Sequence, residues 1–307
     1  MTGLAANLRI LEPYPGLFAY YDGRIAGKRL HSPEPNWLDD GAFDLGTASY
    51  AIVDGAEALV YDTHMSLDHA EAIRAHLTGL GVTQIRVVLS HWHKDHVAGN
   101  AVFADCEIIA LQLTSDLLAA HRDAIAAGTP PIAPLIMPNR LFERESHLSV
   151  GARRVELHHF QIHSADGNVL WLPDQQVLLA GDTLEDTVTY IAEPHETDVH
   201  LRELDRLACW PIRRILPNHG DPNRIAAGGY EATLIGATRA YLRRLLALTG
   251  VDGGGQSPLQ EFVAPELASG AISYFAPYEA VHIRNIASLS MVILKGETAQ
   301  NIGGVSL

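Results

Sequence analysis

Short apolar runs broken by turn residues fill the first half of the chain. The segments "LFAYYDG" (17–23), "SYAIVDG" (49–55), "EALVYD" (57–62) and "IRVVLS" (85–90) are rich in Val, Ile and Tyr, are bounded by Gly or Asp, and predict strands. Asp54-Gly55 between the second and third runs predicts a hairpin. Residues 66–80 predict an amphipathic helix, with Gly81 placed just past its end for a left-handed cap. Residues 97–103 and 112–127 predict two further helices. Then come "RRVELHHF" (153–160), "NVLWLP" (168–173) and "QVLLAGD" (176–182), the last two joined by a tight turn at Asp174-Gln175, a helix near 199–207, and "IRRILPNHG" (212–220). Strands and helices alternate twice, in two halves of similar plan. That pattern predicts an α/β fold with helices outside a pair of sheets.

From Tyr230 the texture changes. "YEATLIGATRAYLRRLLALTG" (230–250) is one long helical pattern, followed by the linker "VDGGGQS" (251–257) and helical spacing over 258–267 and 278–294. The chain therefore divides into a main domain over 1–228 and a helical C-terminal extension over 229–307. Apolar spacing in the extension permits a homodimer interface. Two long irregular segments remain, 23–47 and 128–147, the second containing "TPPIAPLIMP". Long apolar loops of this kind are expected to act as lids over a binding site.

Composition narrows the choice of partner. A hydrophobic fraction of 47% over 307 residues supports a substantial core, and a formal net charge of −14 argues against a nucleic-acid groove, which needs clustered Lys and Arg. No stretch of about 18 apolar residues exists, so no membrane span is expected. The start of the chain lacks a basic segment leading into an apolar run, and Cys106 and Cys209 are too few for a disulfide framework. These features favour a cytoplasmic protein acting on a small molecule.

The candidate chemistry sits after the fourth apolar run. "SHWHKDHVAGN" packs His91, His93, Asp95 and His96 into six positions at the end of a buried strand, where α/β folds place ligands. In a turn entering a helix, these side chains can point to two neighbouring spots: His91 and His93 to one, Asp95 and His96 to the other. Two metal ions side by side suit that layout. Further ligand candidates close later strands: His163 in "QIHSADGN", Asp182 in "LLAGDT" and His219 in "ILPNHGD". Seven N and O ligands of this kind suit zinc, with iron or manganese as alternatives under other supply conditions.

The series "HWHKDH", "HSADG", "GD" and "NHGD" resembles the metallo-β-lactamase superfamily, over roughly residues 17–221. The resemblance implies a four-layer αββα sandwich with a dinuclear metal site along one edge of its two sheets. It implies His91, His93 and His163 as ligands of the first metal and Asp95, His96 and His219 as ligands of the second. Asp182 would be the bridging carboxylate. Asp62 in "LVYDTH" matches the motif aspartate that supports the metal-binding loop from behind. The superfamily usually carries Gly where this chain has His64, for which a surface role is expected. A hydroxide between two cations about 3.5–4 Å apart is the nucleophile such a site implies. Asp95 or Asp182 would orient it and pass a proton to the leaving group.

Subfamily comparison separates the substrates. Familiar β-lactamases place Cys at the Asp182 position or lack the bridging carboxylate, and their carbonyl-binding Asn aligns with Gly167 here, Asn168 being one place late. An amide hydrolase of β-lactamase type is the weaker alternative. "GDTL" (181–184) resembles glyoxalase II and related thioesterases. Their C-terminal helices bind glutathione through basic residues, whereas Arg239, Arg243, Arg244 and Arg284 here form no compelling cluster. Lactonases carry Tyr three places after the bridging Asp, where Glu185 stands; Tyr190 lies too far along to be equated. Iron-dependent oxidoreductases share the fold and form a further alternative; a non-catalytic binding role, which would normally show eroded ligands, is the remaining one. The expected activity is cleavage of an ester, lactone or thioester. "YFAPYEAVHIRN" (274–285) resembles terminal helices of other hydrolases of the superfamily, in which His282 or Tyr278 could reach the cleft; ordinary helix packing is the expected role.

Overall fold

The computed structural model describes residues 3–248 and 257–303. The apolar runs of the first half form the centre of a seven-stranded sheet. Its strands are β1 (Arg9–Tyr14), β2 (Leu17–Asp22), β3 (Thr47–Asp54), β4 (Glu57–Tyr61), β5 (Gln84–Val88), β6 (Glu107–Leu111) and β7 (Arg140–Phe142), side by side in chain order. A five-stranded sheet holds β8 (Glu145–Val150), β9 (Arg153–His159), β10 (Asn168–Leu172), β11 (Val177–Gly181) and β12 (Arg214–Pro217), ordered β12-β11-β10-β9-β8. Asp54 pairs with Glu57 across the two-residue turn at Gly55, as the hairpin signal predicts.

The two sheets stack, and helices cover their outer faces. On β4, Leu59 and Tyr61 join the core between the sheets, with Leu157, Leu170 and Leu179 opposite. Ala58 and Val60 on the other face meet Ala70, Ile73 and Leu77 of helix α1 (Leu67–Gly79). Both faces of the strand are dry. That is why these segments read as unbroken apolar runs and not as strict alternation. Each fully buried Leu or Val contributes about 1.5–3 kcal/mol.

Local signals fix the ends of α1. Ser66 Oγ accepts from the backbone N–H of His69 at the start. At the finish Gly81 has φ +84°, its N–H bonds to Thr78 O and that of Val82 to Leu77 O, both ladder-closing bonds of a Schellman cap.

Several expected elements differ. The 97–103 helix is instead a short α2 (Lys94–Val97) and a 3₁₀ turn (Asn100–Phe103), because the backbone at Gly99 packs against Thr63. The 112–127 helix is α3 (Gln112–Ala120) and α4 (Arg122–Ala126), broken at His121, whose ring stacks on Trp92 at 4.4 Å. Helix α5 is Thr197–Leu207 and α6 is Pro222–Ala226. The long pattern from Tyr230 becomes α7 (Thr233–Leu248), since Tyr230 itself pairs with Ile215 at the edge of the second sheet. Its expected stop at Gly250 and linker residues 251–256 lie outside the described residues. The 258–267 segment divides into α8 (Leu259–Phe262) and α9 (Ala264–Ala268), while α10 (Tyr278–Gly303) outruns the expected 278–294. Leu234, Tyr241 and Leu245 of α7, and Tyr278, Val281 and Leu289 of α10, belong to the same buried cluster as the sheet core. β1, β6, β7 and β8 are additions to the sequence reading. β6 escapes it because Leu111 passes straight into α3 with no turn residue between.

The two expected lids have different fates. Segment 23–47 is a built loop containing one wide helical turn (Leu38–Phe43). The buried Asp39 carboxylate holds it, accepting from the N–H groups of Leu30, His31 and Ser32 and from Asn36 Nδ2 at 2.6–3.2 Å. Segment 128–147 is no lid: it contains β7 and the start of β8 and sits behind the first loop. There Thr129 O accepts from Trp37 N and Pro130 O from Trp37 Nε1 at 2.7 Å.

No helix among the described residues is long and apolar enough to cross a membrane.

Candidate metal centre

Parallel register gathers the strand ends. Tyr61 of β4 is paired with Val88 of β5, so Asp62 and the turn carrying His91 emerge side by side. Gly181 of β11 is paired with Pro217 of β12, which places Asp182 beside Asn218 and His219. His163 comes from the loop between β9 and β10, at the same edge of the second sheet.

All seven expected side chains meet there. His91, His93, His163 and Asp182 form one group and Asp95, His96 and His219 another, the ligand atoms within each group lying within 4.8 Å of one another. Asp182 joins the groups. Its Oδ2 is 3.2 Å from His96 Nε2, 3.4 Å from His219 Nε2, 3.5 Å from His91 Nε2 and 3.6 Å from His163 Nε2. Asp95 Oδ2 is 3.2 Å from His219 Nε2. His93 faces the first group through Nδ1, 2.9 Å from His91 Nε2 and 3.0 Å from His163 Nε2.

The far side of each ring fixes its tautomer. His96 Nδ1 donates to Asp62 Oδ2 at 2.9 Å, His219 Nδ1 to Gly46 O at 2.7 Å and His163 Nδ1 to Tyr190 O at 2.9 Å. Ser90 Oγ donates to Asp62 Oδ2 and therefore accepts from His91 Nδ1 at 2.9 Å. With the protons on Nδ1, four Nε2 lone pairs point inward at one another and at a carboxylate. Lone pairs converging at 3 Å repel unless a cation lies among them. Asp182 Oδ1 is also buried without a hydrogen-bond partner. The donor set of imidazole and carboxylate suits a divalent cation such as zinc, and the residues fit a metal site.

With no cation among the rings, protons on His96 and His219 take its place. Burial pushes His91 well below an ordinary imidazole, aided by the charges of His96 and His93, and takes His93 down to about 3. Burial also opposes charging of His96 and His219, but Asp182 and Asp95 outweigh it and hold both well above the usual range. Asp182 stays ionised despite burial because His219, His96 and His91 surround it. The cluster thus gathers positive charge around its carboxylates while some of its rings cannot carry any.

Asp62 is the hub behind this cluster. Fully buried, it accepts from Ser90 N, Ser90 Oγ and Asn218 Nδ2, each at 2.6 Å, as well as from His96. Asp62, His64 and His163 all have left-handed backbones, at φ 67°, 69° and 68°. Such conformations cluster at functional sites. Ser90 and Asn218 stand inside motifs quoted for their neighbours, yet only the fold shows their role.

Other expectations need correction. His64 is not on the surface: it is fully buried, stacked on His69 at 4.4 Å, and its Nδ1 accepts from Met65 N. Tyr190, set aside in the sequence, lines the cavity with its ring centre 6.0 Å from that of His163. Its own N–H donates to Glu185 Oε1 at 2.9 Å, and Tyr278 O–H donates to Glu185 Oε2 at 3.1 Å. Tyr278 and His282 stay out of the cavity, as helix packing predicts; His282 bonds through Nδ1 to Tyr241 Oη at 3.0 Å. Gly167 has no room for a side chain, since a Cβ there would lie 2.3 Å from Phe160 O. Asn168 turns inward and donates to Leu89 O.

A cavity of about 560 Å³ opens over the two groups. Trp37, Leu45, Trp92 and Tyr190 give it apolar walls, while Lys94 and Arg284 stand among its polar lining. Segment 23–47 supplies one wall; segment 128–147 supplies none, because Trp37 stands between it and the cavity.

Comparison with known proteins agrees with this geometry. An atrochrysone carboxyl ACP thioesterase of Aspergillus novofumigatus (strain IBT 16806) is 27% identical over 238 residues, covering 73% of this chain and 67% of that protein. Another, of Cryptosporiopsis sp. (strain 8999), is 28% identical over 186 residues, covering 59% of this chain and only 51% of that protein's length. Among solved structures, the DIM-1 metallo-beta-lactamase aligns with TM-score 0.59 at 19% identity, over 78% of this chain and 98% of its own. A metallo-beta-lactamase from Pontibacter korlensis aligns with TM-score 0.59 at 16% identity, over 77% and 99%. At such identities these two share the fold. The family model described as the metallo-beta-lactamase superfamily matches residues 42–252, and the chain belongs to that superfamily.

Proposed function

We propose that the protein is a hydrolase of activated carbonyl compounds, thioesters first, working with two divalent cations of which zinc is the best match. The observation that carries this reading is the position of Asp182 Oδ2, within 3.6 Å of one ring nitrogen from each of four histidines drawn from both groups. The first cation would be held by His91, His93, His163 and Asp182, the second by Asp95, His96, His219 and Asp182. When bound, the cations supply a water acidic enough to attack at neutral pH and polarise the carbonyl oxygen.

The protein's own groups then do the positioning. Asp182 and Asp95 both line the cavity, where they orient the attacking water. Asp95 takes the proton at its carboxylate and delivers it to the departing group. Trp37, Trp92 and Tyr190 exclude bulk water and hold the acyl chain. A thiol leaves readily, its ordinary pKa being about 8.5, so no strong acid is needed beside it. The named relatives are thioesterases, which favours that bond over an ester or lactone. The closed space at Gly167 speaks against an amide substrate of the β-lactam type.

Elemental analysis of the purified protein, with a panel of thioester, lactone, phosphodiester and β-lactam substrates, tests the proposal. Two metal equivalents and preferred thioester turnover are expected. Asp182→Ala should lose at least one equivalent and nearly all turnover while keeping its circular dichroism spectrum; unchanged metal content and rate would refute the role given to it.

A further inference from the structure

The cavity holds more charge than its chemistry requires. Every carboxylate on its wall is already engaged. Asp40 pairs with Arg29 and accepts from Asn36 N at 2.7 Å. Glu185 accepts from Tyr190 N and Tyr278 Oη. Asp95 and Asp182 face the histidines. The two cations on the same wall are not engaged in this way. Lys94 follows His93 at the start of α2, and a Cβ at Gly128 would lie 3.5 Å from its Nζ; among the described residues it has no ion-pair partner. Arg284, exposed on α10, spends only Nε, on Ala280 O at 3.3 Å; its guanidinium carbon is 6.0 Å from the Tyr190 ring centre. Among the described residues its remaining donors have no carboxylate to meet.

In a chain of net charge −14, two cations without an ion-pair partner among the described residues make a local positive site at one cavity, in a field that otherwise repels anions. We infer that Lys94 and Arg284 form an anion-binding lip, and that the substrate is a thioester bearing a phosphate or carboxylate beyond the reacting bond. The lip lies at the metal centre but takes no part in it. Assignment to a thioester rests on the hydrolase reading above; anion binding itself does not. A phosphate on the thiol arm and a carboxylate on the acyl chain share this chemistry.

Binding measured through the fluorescence of Trp37 and Trp92, which line the cavity, separates these sources. The probes are S-methyl 4′-phosphopantetheine against S-methyl pantetheine, and adipamate against adipamide, titrated into the metal-loaded protein. The charged member of one pair should bind about tenfold more tightly at low salt, an advantage that shrinks as salt rises. In the Lys94→Gln, Arg284→Gln double variant that ratio should fall close to one, with binding of the neutral probe unchanged. Arg284→Lys should restore part of it. Preference within the phosphate pair places the charge on the thiol arm; preference within the carboxylate pair places it on the acyl chain. No preference in the unaltered protein, or one that the double variant keeps, overturns the inference. Thioester turnover is assayed separately, so loss of the hydrolase reading would leave this result standing.

Discussion

Asp62→Asn isolates what one buried carboxylate does for the site. The substitution keeps size and shape, and Asn tolerates the left-handed backbone that Asp62 adopts at φ 67°. Its single oxygen can still accept from Ser90 N. The new amide nitrogen then replaces Oδ2, which accepts from Ser90 Oγ, Asn218 Nδ2 and His96 Nδ1. The serine hydroxyl can rotate, but Asn218 and His96 are left with buried N–H groups facing another donor. At about 1–3 kcal/mol for each unsatisfied group, the loss is about 4 kcal/mol. Metal affinity should fall about 10- to 100-fold, because His96 and, through Ser90, His91 lose the acceptors that fix their tautomers. Thermal unfolding of the chelated protein reads the first effect, with a Tm lowered by roughly 5–10 °C. Competition against a chromophoric chelator reads the second. If the melting curve and the metal affinity match those of the unaltered protein, the hub carries nothing and the orientation of the histidines must come from elsewhere.

Two further outcomes follow from packing and burial. Gly99→Ala would set a Cβ 2.1 Å from Thr63 O and 2.5 Å from Ala70 Cβ, so a backbone shift is forced where Thr63 meets the histidine-bearing turn. A loss of about 3 kcal/mol in denaturant unfolding is expected. Asp166 is buried with Oδ2 unpartnered, and burial raises its pKa to about 6. The folded state therefore holds this proton more tightly than the unfolded chain, whose carboxyl titrates near 3.8. Its stabilising effect is complete below that lower value and disappears as pH rises through about 6. Asp166→Asn should flatten the fall in stability across this window, and identical pH profiles for the two proteins would contradict the assignment.

Features carried by neighbouring residues were legible in the sequence. Ser66 and Gly81 bracket α1 because caps act within one turn, and Asp54-Gly55 makes its hairpin without help from the rest of the fold. The candidate residues could be picked out as well, since His and Asp within a few positions of a strand end are a local pattern. The tertiary structure alone decided which of these residues meet in one cluster and what stands behind them. Asp62 meets Ser90 across 28 residues of chain and Asn218 across 156. The parallel pairing of β4 with β5 and of β11 with β12 puts these groups within bonding distance, and no local periodicity encodes that register. For the same reason, the loop that walls the cavity and the one that braces it could not be told apart by composition: Trp37, donating backward to Pro130, settles the matter across 93 residues.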